Sequence, residues 1–175
     1  MPKKRLNDRM RTMKLRPIKL ISLISLVICL FVSGCAATPP LKGMTPDGQK
    51  VYLGPVPIEN TKSYQDYLLE PDTEVSKQHY LFQRLLNAKD LEFYHNGSWY
   101  NSLEAYRGGM WLISKRYQKG QDARTFIHKY VERAEDTGEY HLVKYPDGSV
   151  HVGSYVLYNE LDLLEEASSK SSPRI

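Results

Sequence analysis

The sequence predicts an α+β domain in which two antiparallel β-hairpins, joined in one small sheet, pack with four or five helices. Two turn pairs support this fold class, because Asn96-Gly97 and Asp147-Gly148 favour positive backbone φ angles and each lies between short alternating runs. A third observation concerns the remaining stretches. Their apolar residues recur three and four positions apart and follow capping residues, which is typical of helices.

Two helices open the predicted domain. The first covers Lys62–Glu70 and stops before a proline. Thr73 then serves as the N-cap of a longer helix, Glu74–Lys89, because a threonine oxygen accepts the free backbone N–H groups of a first turn. Four apolar residues form one face of that helix: Val75, Phe82, Leu85 and Leu86.

The first hairpin follows, with strands Leu91–His95 and Ser98–Tyr100 around the Asn96-Gly97 turn. A two-residue turn places Tyr94 opposite Trp99, on the face away from Leu91, Phe93 and Tyr100.

Two further helices are predicted between the hairpins. Ser102 is the predicted cap of Leu103–Gln118, a helix that contains Gly108-Gly109. Two glycines inside a helix cost about 1 kcal/mol each relative to alanine, so we expect either close packing of another backbone or a kink there. Asp122 is the predicted cap of the next helix, which ends at Thr137-Gly138.

A second hairpin and a last helix complete the domain. The strands are Glu139–Tyr145 and Ser149–Val152, and alternation puts His141, Val143, Tyr145 and His151 on one face. Ser154 is the predicted cap of a helix over Tyr155–Glu166. We expect the domain to span 61–167 and the segment 168–175 to be a disordered tail.

Charge is distributed unevenly along the chain. Residues 1–34 carry eight of the 24 Lys and Arg residues and one of the 20 acidic residues. The 16 basic and 19 acidic residues that remain give the rest of the chain a formal charge of −3. A basic surface for nucleic acid is therefore not predicted.

The first 34 residues have the layout of a signal peptide, with a basic start, an apolar stretch and small residues at the end. The apolar stretch, Leu20–Val32, has 13 residues, and a membrane-spanning helix needs about 20. Met1 and Met13 both remain candidate start sites.

Val32-Ser33-Gly34-Cys35 resembles the lipobox of bacterial lipoproteins. The resemblance implies cleavage between Gly34 and Cys35 and attachment of a diacylglycerol and further acyl chains, such as palmitate, to Cys35. Because Ala36 follows, it also implies an outer-membrane protein that faces the periplasm. Cys29, the other cysteine, lies inside the signal peptide, so neither a disulfide nor a catalytic thiol is expected in the mature chain.

The segment 35–60 is rich in proline and glycine and has no sustained periodicity. This composition predicts a linker between the lipidated cysteine and the domain.

Residues 75–165 also show a resemblance, based on Phe93-x-x-Asn96-Gly97-x-x-Tyr100 followed by Ala105, Phe126-Ile127, Thr137-Gly138-x-Tyr140 and Asp147-Gly148. They resemble an uncharacterised family of small exported bacterial proteins, classed as a domain of unknown function. The family implies a fold and no activity. Its usual histidine in the helix after the Asn-Gly hairpin is missing, and Gly108-Gly109 lies in that region.

Catalytic chemistry is not predicted. His141 and His151 are diagonal neighbours on one strand face, but no third ligand for zinc is visible. The remaining histidines, at positions 79, 95 and 128, have no spacing typical of a metal site or a catalytic triad. We therefore expect a non-enzymatic protein without a metal or cofactor.

Aromatic residues indicate a binding role. Tyr94, Trp99 and Tyr145, together with His141 and His151, form the candidate interaction surface, since tyrosine and tryptophan are enriched at interfaces. The predicted function is an envelope lipoprotein that binds a protein partner or cell-wall glycan. The alternative is a periplasmic inhibitor or immunity-type lipoprotein that neutralises a toxic effector.

Overall fold

A computed structural model describes residues 39–170, so the predicted signal peptide, Gly34 and Cys35 and the last five residues of the predicted tail lie outside the described part. The helices are α1 (Lys62–Leu69), α2 (Glu74–Asn87), α3 (Ser102–Arg116), α4 (Ala123–Phe126, continued by a π-helical turn over Ile127–Val131) and α5 (Gly153–Lys170). The strands are β1 (Glu92–His95), β2 (Ser98–Tyr100), β3 (Leu142–Lys144) and β4 (Val150–Val152). The predicted α+β class is confirmed.

Both hairpins belong to one antiparallel sheet in the order β2-β1-β3-β4. The join is made by β1 and β3, with Phe93 opposite Val143 and Tyr94 opposite Leu142. One face of the sheet carries Phe93, Val143 and His151, all buried. The core of the domain therefore lies on this face, together with side chains of α2, α4 and α5.

The first hairpin has the predicted turn. Asn96 has φ 46° and Gly97 has φ 82°, both in the left-handed region that a type I′ turn requires. Tyr94 lies opposite Trp99 in the observed register, as the two-residue turn predicts.

Two of the predicted helix caps are confirmed and two are wrong. The side chains of Thr73 and Asp122 accept backbone N–H groups at the starts of α2 and α4. Asn101, not Ser102, caps α3, since its side chain accepts the Glu104 N–H while the Glu104 carboxylate accepts the Asn101 N–H. Ser154 lies inside α5, which follows β4 directly and leaves no residue between them to act as a polar cap.

Two predicted boundaries also differ. The helix expected to reach Thr137-Gly138 ends with its π-helical turn at Val131, and an isolated bridge between Arg133 and Tyr140 follows. α5 continues through Lys170, so 168–170 are helical and not part of a tail. Ala167 is only 5% exposed, which shows that the last turns of this helix still contact the core.

The prediction of a linker is wrong for residues 39–60. Leu53 and Ile58 are 3% and 1% exposed. Leu41 exchanges backbone hydrogen bonds with β4, donating to Val150 at 2.8 Å. Asn159 of α5 donates to the carbonyl of Gly43 at 2.7 Å. Side chains of the domain thus supply the hydrogen bonds that an irregular, proline-rich segment cannot make with itself.

Across residues 39–170, none of the helices has the length and apolar character needed to cross a bilayer.

Candidate ligand-binding cavity

The predicted interaction surface is divided between two faces of the sheet. Tyr94 and Trp99 lie on the face away from the core, with ring centroids 5.3 Å apart. The Lys144 ammonium lies 5.6 Å from the Trp99 ring, and the Tyr94 hydroxyl donates to Glu139 at 3.0 Å. Trp99 is 42% exposed, so its ring is accessible to solvent on this face.

Tyr145 and His151 are placed differently from the prediction. His151 is 0% exposed and packs edge-on against the Tyr145 ring, 5.2 Å away. The Tyr145 hydroxyl donates to the Tyr52 carbonyl at 3.0 Å. Because His151 has no accessible surface in this fold, it belongs to the core and does not extend the exposed aromatic pair.

His141 pairs with a histidine from the other hairpin. Its Nε2 lies 2.7 Å from His95 Nδ1, and its Nδ1 lies 2.7 Å from the Val131 carbonyl oxygen. The spacing of the histidines along the chain does not predict this pair. Alternation does place His95 on the Phe93 face and His141 on the Val143 face, but only the pairing of β1 with β3 brings them together.

The protons of this pair are fixed by the carbonyl. A carbonyl oxygen only accepts, so His141 Nδ1 carries the proton in that bond. Burial lowers the pKa of His141, which favours its neutral form. The Nε2 of a neutral His141 then accepts, and His95 Nδ1 donates. Within residues 39–170, no group of three or more metal-ligating side chains comes together around these two histidines or elsewhere.

The histidine pair lines a cavity of about 590 Å³ between α3 and the core side of the sheet. Most of the lining is apolar and comes from five parts of the fold: Phe82 and Leu85 of α2, Phe93 of β1, Ala105, Gly108, Gly109 and Leu112 of α3, Tyr130 and Val131 of the π-helical turn, and Leu157 of α5. Tyr100 and Trp111 also line it, although they are 37% and 55% exposed. The cavity therefore reaches the surface beside two aromatic side chains.

The two glycines of α3 have different surroundings in this wall. A Cβ atom at Gly109 would overlap the Phe82 ring, whereas one at Gly108 would meet no atom within 4 Å. The expected close packing at this pair thus involves a side chain, the Phe82 ring, and not a second backbone. Gly108 lines the cavity and is itself exposed.

Charged groups lie at the polar end of the cavity. Asp136 accepts from the Asn96 amide through both oxygens at 2.8 Å, and this bond holds the pKa of Asp136 below its ordinary value. Glu135 pairs with Arg116 at 2.6 Å. Arg133 donates to the Gly138 carbonyl and lies 3.6 Å from the centre of the Tyr140 ring.

Comparison of this chain with protein-family models, with curated proteins and with solved structures finds no match. The resemblances to the lipobox and to the uncharacterised exported family stay predictions.

Proposed function

We propose that this protein is a non-enzymatic, lipid-anchored binding protein of the cell envelope, and that the cavity between α3 and the sheet is its binding site. The cavity itself is the observation that supports the proposal. Its volume of about 590 Å³ lies within the range of roughly 300–1,000 Å³ typical of small-molecule sites. Apolar walls with a few polar groups at one end are also typical of such sites.

The exposed aromatic residues at the opening support the same proposal. Trp111 presents more than half of its surface to solvent while it lines the cavity. A bound molecule would cover this ring and Tyr100, and each would contribute apolar contact area with few rotatable bonds. Gly108 leaves the wall between them without a side chain.

The anchor rests on the sequence alone. Acyl chains on Cys35 each contribute about 0.8 kcal/mol per buried CH₂, and two or more chains give a stable attachment. Replacing Cys35 with serine should abolish acyl labelling and release the protein from the membrane fraction. Labelling and fractionation that do not change would refute the anchor.

Photocrosslinking in the native host tests the cavity. We replace Trp111 by a photoreactive phenylalanine analogue and, as a matched control, make the same replacement at Trp99 on the open face. A binding cavity gives adducts from position 111 that Gly108→Leu removes, because Gly108 lines the cavity and a leucine side chain there narrows it. Arg107→Leu, on the exposed side of α3, should leave those adducts unchanged.

The open face of the sheet favours the second candidate function, a periplasmic inhibitor or immunity-type protein. The exposed Trp99 ring lies there against Tyr94 and beside Lys144, which pairs with Glu92 at 2.6 Å. Adducts from position 99 to one effector protein, with none from position 111, would support this alternative and contradict the cavity as the binding site.

A further inference from the structure

The polar end of the cavity presents a hydrogen-bond acceptor whose orientation is fixed. The Val131 carbonyl sets the tautomer of His141, and His141 in turn takes the Nδ1 proton of His95. Neutral His95 then has its lone pair on Nε2. No protein group in residues 39–170 bonds to that nitrogen, and His95 is exposed, so Nε2 is available to a bound molecule.

The surrounding charges complement a cation. Three carboxylates and one guanidinium line the cavity in the part of the chain that the structure describes. The guanidinium, Arg133, is directed to the Gly138 carbonyl and the Tyr140 ring. The Asn96 amide, a second donor at this end, is held by Asp136. Two of the carboxylates also have partners, since Glu135 pairs with Arg116 and Glu104 accepts the Asn101 N–H. Three carboxylates against two guanidinium groups still leave the formal charge around the cavity negative.

Aromatic rings at the opening add to this preference. The faces of tyrosine and tryptophan rings attract cations, and Tyr100 and Trp111 both line the cavity. A carboxylate ligand would instead meet the Nε2 lone pair and the charges of Glu104 and Asp136.

We infer that the cavity binds a small molecule with an apolar body and a protonated amine, whose N–H donates to Nε2 of His95. This inference rests on the proposed function, since it names the ligand class of the same cavity. His95 makes the contact, and His141 is a positioning residue that fixes the tautomer of His95.

Three probes of one length test the inference: octylamine, octanol and octanoate. The full chain carries Cys35→Ser, which omits the acyl chains, and Trp99→Phe, so that Trp111 is the remaining tryptophan and can be excited selectively at a wavelength that tyrosine does not absorb. At pH 7.5 we expect octylamine to quench or shift Trp111 fluorescence with an affinity at least tenfold above that of octanoate. His95→Ala should weaken octylamine at least tenfold and change octanol binding less than twofold.

The outcomes separate the two proposals. If octanoate binds as tightly as octylamine, the amine inference is wrong. The cavity is still supported as the binding site if Gly108→Leu abolishes octanoate binding. Failure of all three probes overturns the amine inference and contradicts the cavity as an apolar binding site.

The role of His141 has its own readout. Nitrogen NMR of the imidazole rings should show His95 protonated at Nδ1 at pH 7.5, and His141→Phe should shift His95 toward a mixture of tautomers. His95 protonated at Nε2 in the unsubstituted protein would refute the inferred orientation of its lone pair.

Discussion

Arg84 and Glu160 form an ion pair inside the domain, with Arg84 Nε 2.8 Å from Glu160 Oε2 and both side chains almost inaccessible to solvent. Glu160 also accepts the backbone N–H of Leu53 at 2.6 Å, and Arg84 donates to the Pro55 carbonyl at 3.1 Å. One pair thus connects α2, α5 and the segment 39–60. The buried charges are compensated by each other and by backbone groups of a segment with no regular structure.

Glu160→Gln should destabilise the protein strongly. The substitution leaves Arg84 buried without its counter-ion, and breaking a buried pair in this way costs about 3–5 kcal/mol. Urea denaturation measures the loss. The matched control is Asp162→Asn, two residues away on α5, where Asp162 pairs with Lys50 and Arg124 at the surface. That change should cost no more than about 1 kcal/mol, and equal losses for the two variants would show that the buried pair is not the connection we describe.

The adjacent glycines of α3 should respond in opposite directions to alanine. Gly109→Ala places a Cβ into the buried Phe82 ring, and overpacking of this kind costs about 1–3 kcal/mol. Gly108→Ala meets open space, so the gain in helix propensity should stabilise the fold by up to about 1 kcal/mol. Thermal or urea unfolding of the two variants gives the comparison. A stabilising Gly109→Ala would mean that α3 does not pack against Phe82 as described.

Local features of the fold could be predicted from the sequence because a few neighbouring residues determine them. Asn96 and Gly97 adopt the positive φ angles that their residue types favour. Thr73 and Asp122 cap helices that begin one residue later. The cap of α3 is Asn101, one residue before the predicted Ser102. Asn101 and Ser102 are both good capping residues, and only the reciprocal bond with Glu104 distinguishes them.

Long-range features could not be predicted in the same way. The composition of residues 39–60 is typical of a linker. The segment nevertheless packs against the domain, because Asn159 and Glu160, more than 100 positions away, bond to its backbone. The candidate site also depends on contacts between residues that are distant in the sequence. His95 and His141 are 46 positions apart and meet only because β1 pairs with β3.

Replacing His151 with leucine should make the protein less sensitive to mild acid. Neither ring nitrogen of His151 has a hydrogen-bond partner among residues 39–170, and burial lowers its pKa below the ordinary value of 6.5. As the pH falls below 6.5, the unfolded chain takes up a proton before the folded one, so stability is lost toward lower pH. His151→Leu removes this loss and also relieves an uncompensated polar group, worth about 1–3 kcal/mol.

The measurement is the free energy of unfolding from pH 7.5 to 5.0. His128→Leu is the control, because the side chain of His128 is 74% exposed. We expect His151→Leu to make the free energy of unfolding less dependent on pH and His128→Leu to leave that dependence unchanged. Any other result would show that burial of His151 does not cause the loss of stability in acid.

Asn96→Asp should weaken the contact between the first hairpin and the segment after α4. Asparagine and aspartate both tolerate the φ of 46° at this position, so the turn itself should persist. The new carboxylate, however, faces Asp136, which now accepts two hydrogen bonds from the Asn96 amide at 2.8 Å. Asn96→Gly removes the same bonds without adding charge. At pH 7 we expect stability to decrease from the unsubstituted protein to Asn96→Gly and further to Asn96→Asp.

Acid separates repulsion from the loss of the hydrogen bonds. The Asn96 amide keeps the pKa of Asp136 below its ordinary value, and a neighbouring carboxylate instead raises it. Protonation of one of the two acids ends the repulsion, so the difference between Asn96→Asp and Asn96→Gly should shrink as the pH falls toward about 4. A difference that stays constant between pH 7 and 4 would place its origin in the turn and not in the charge of Asp136.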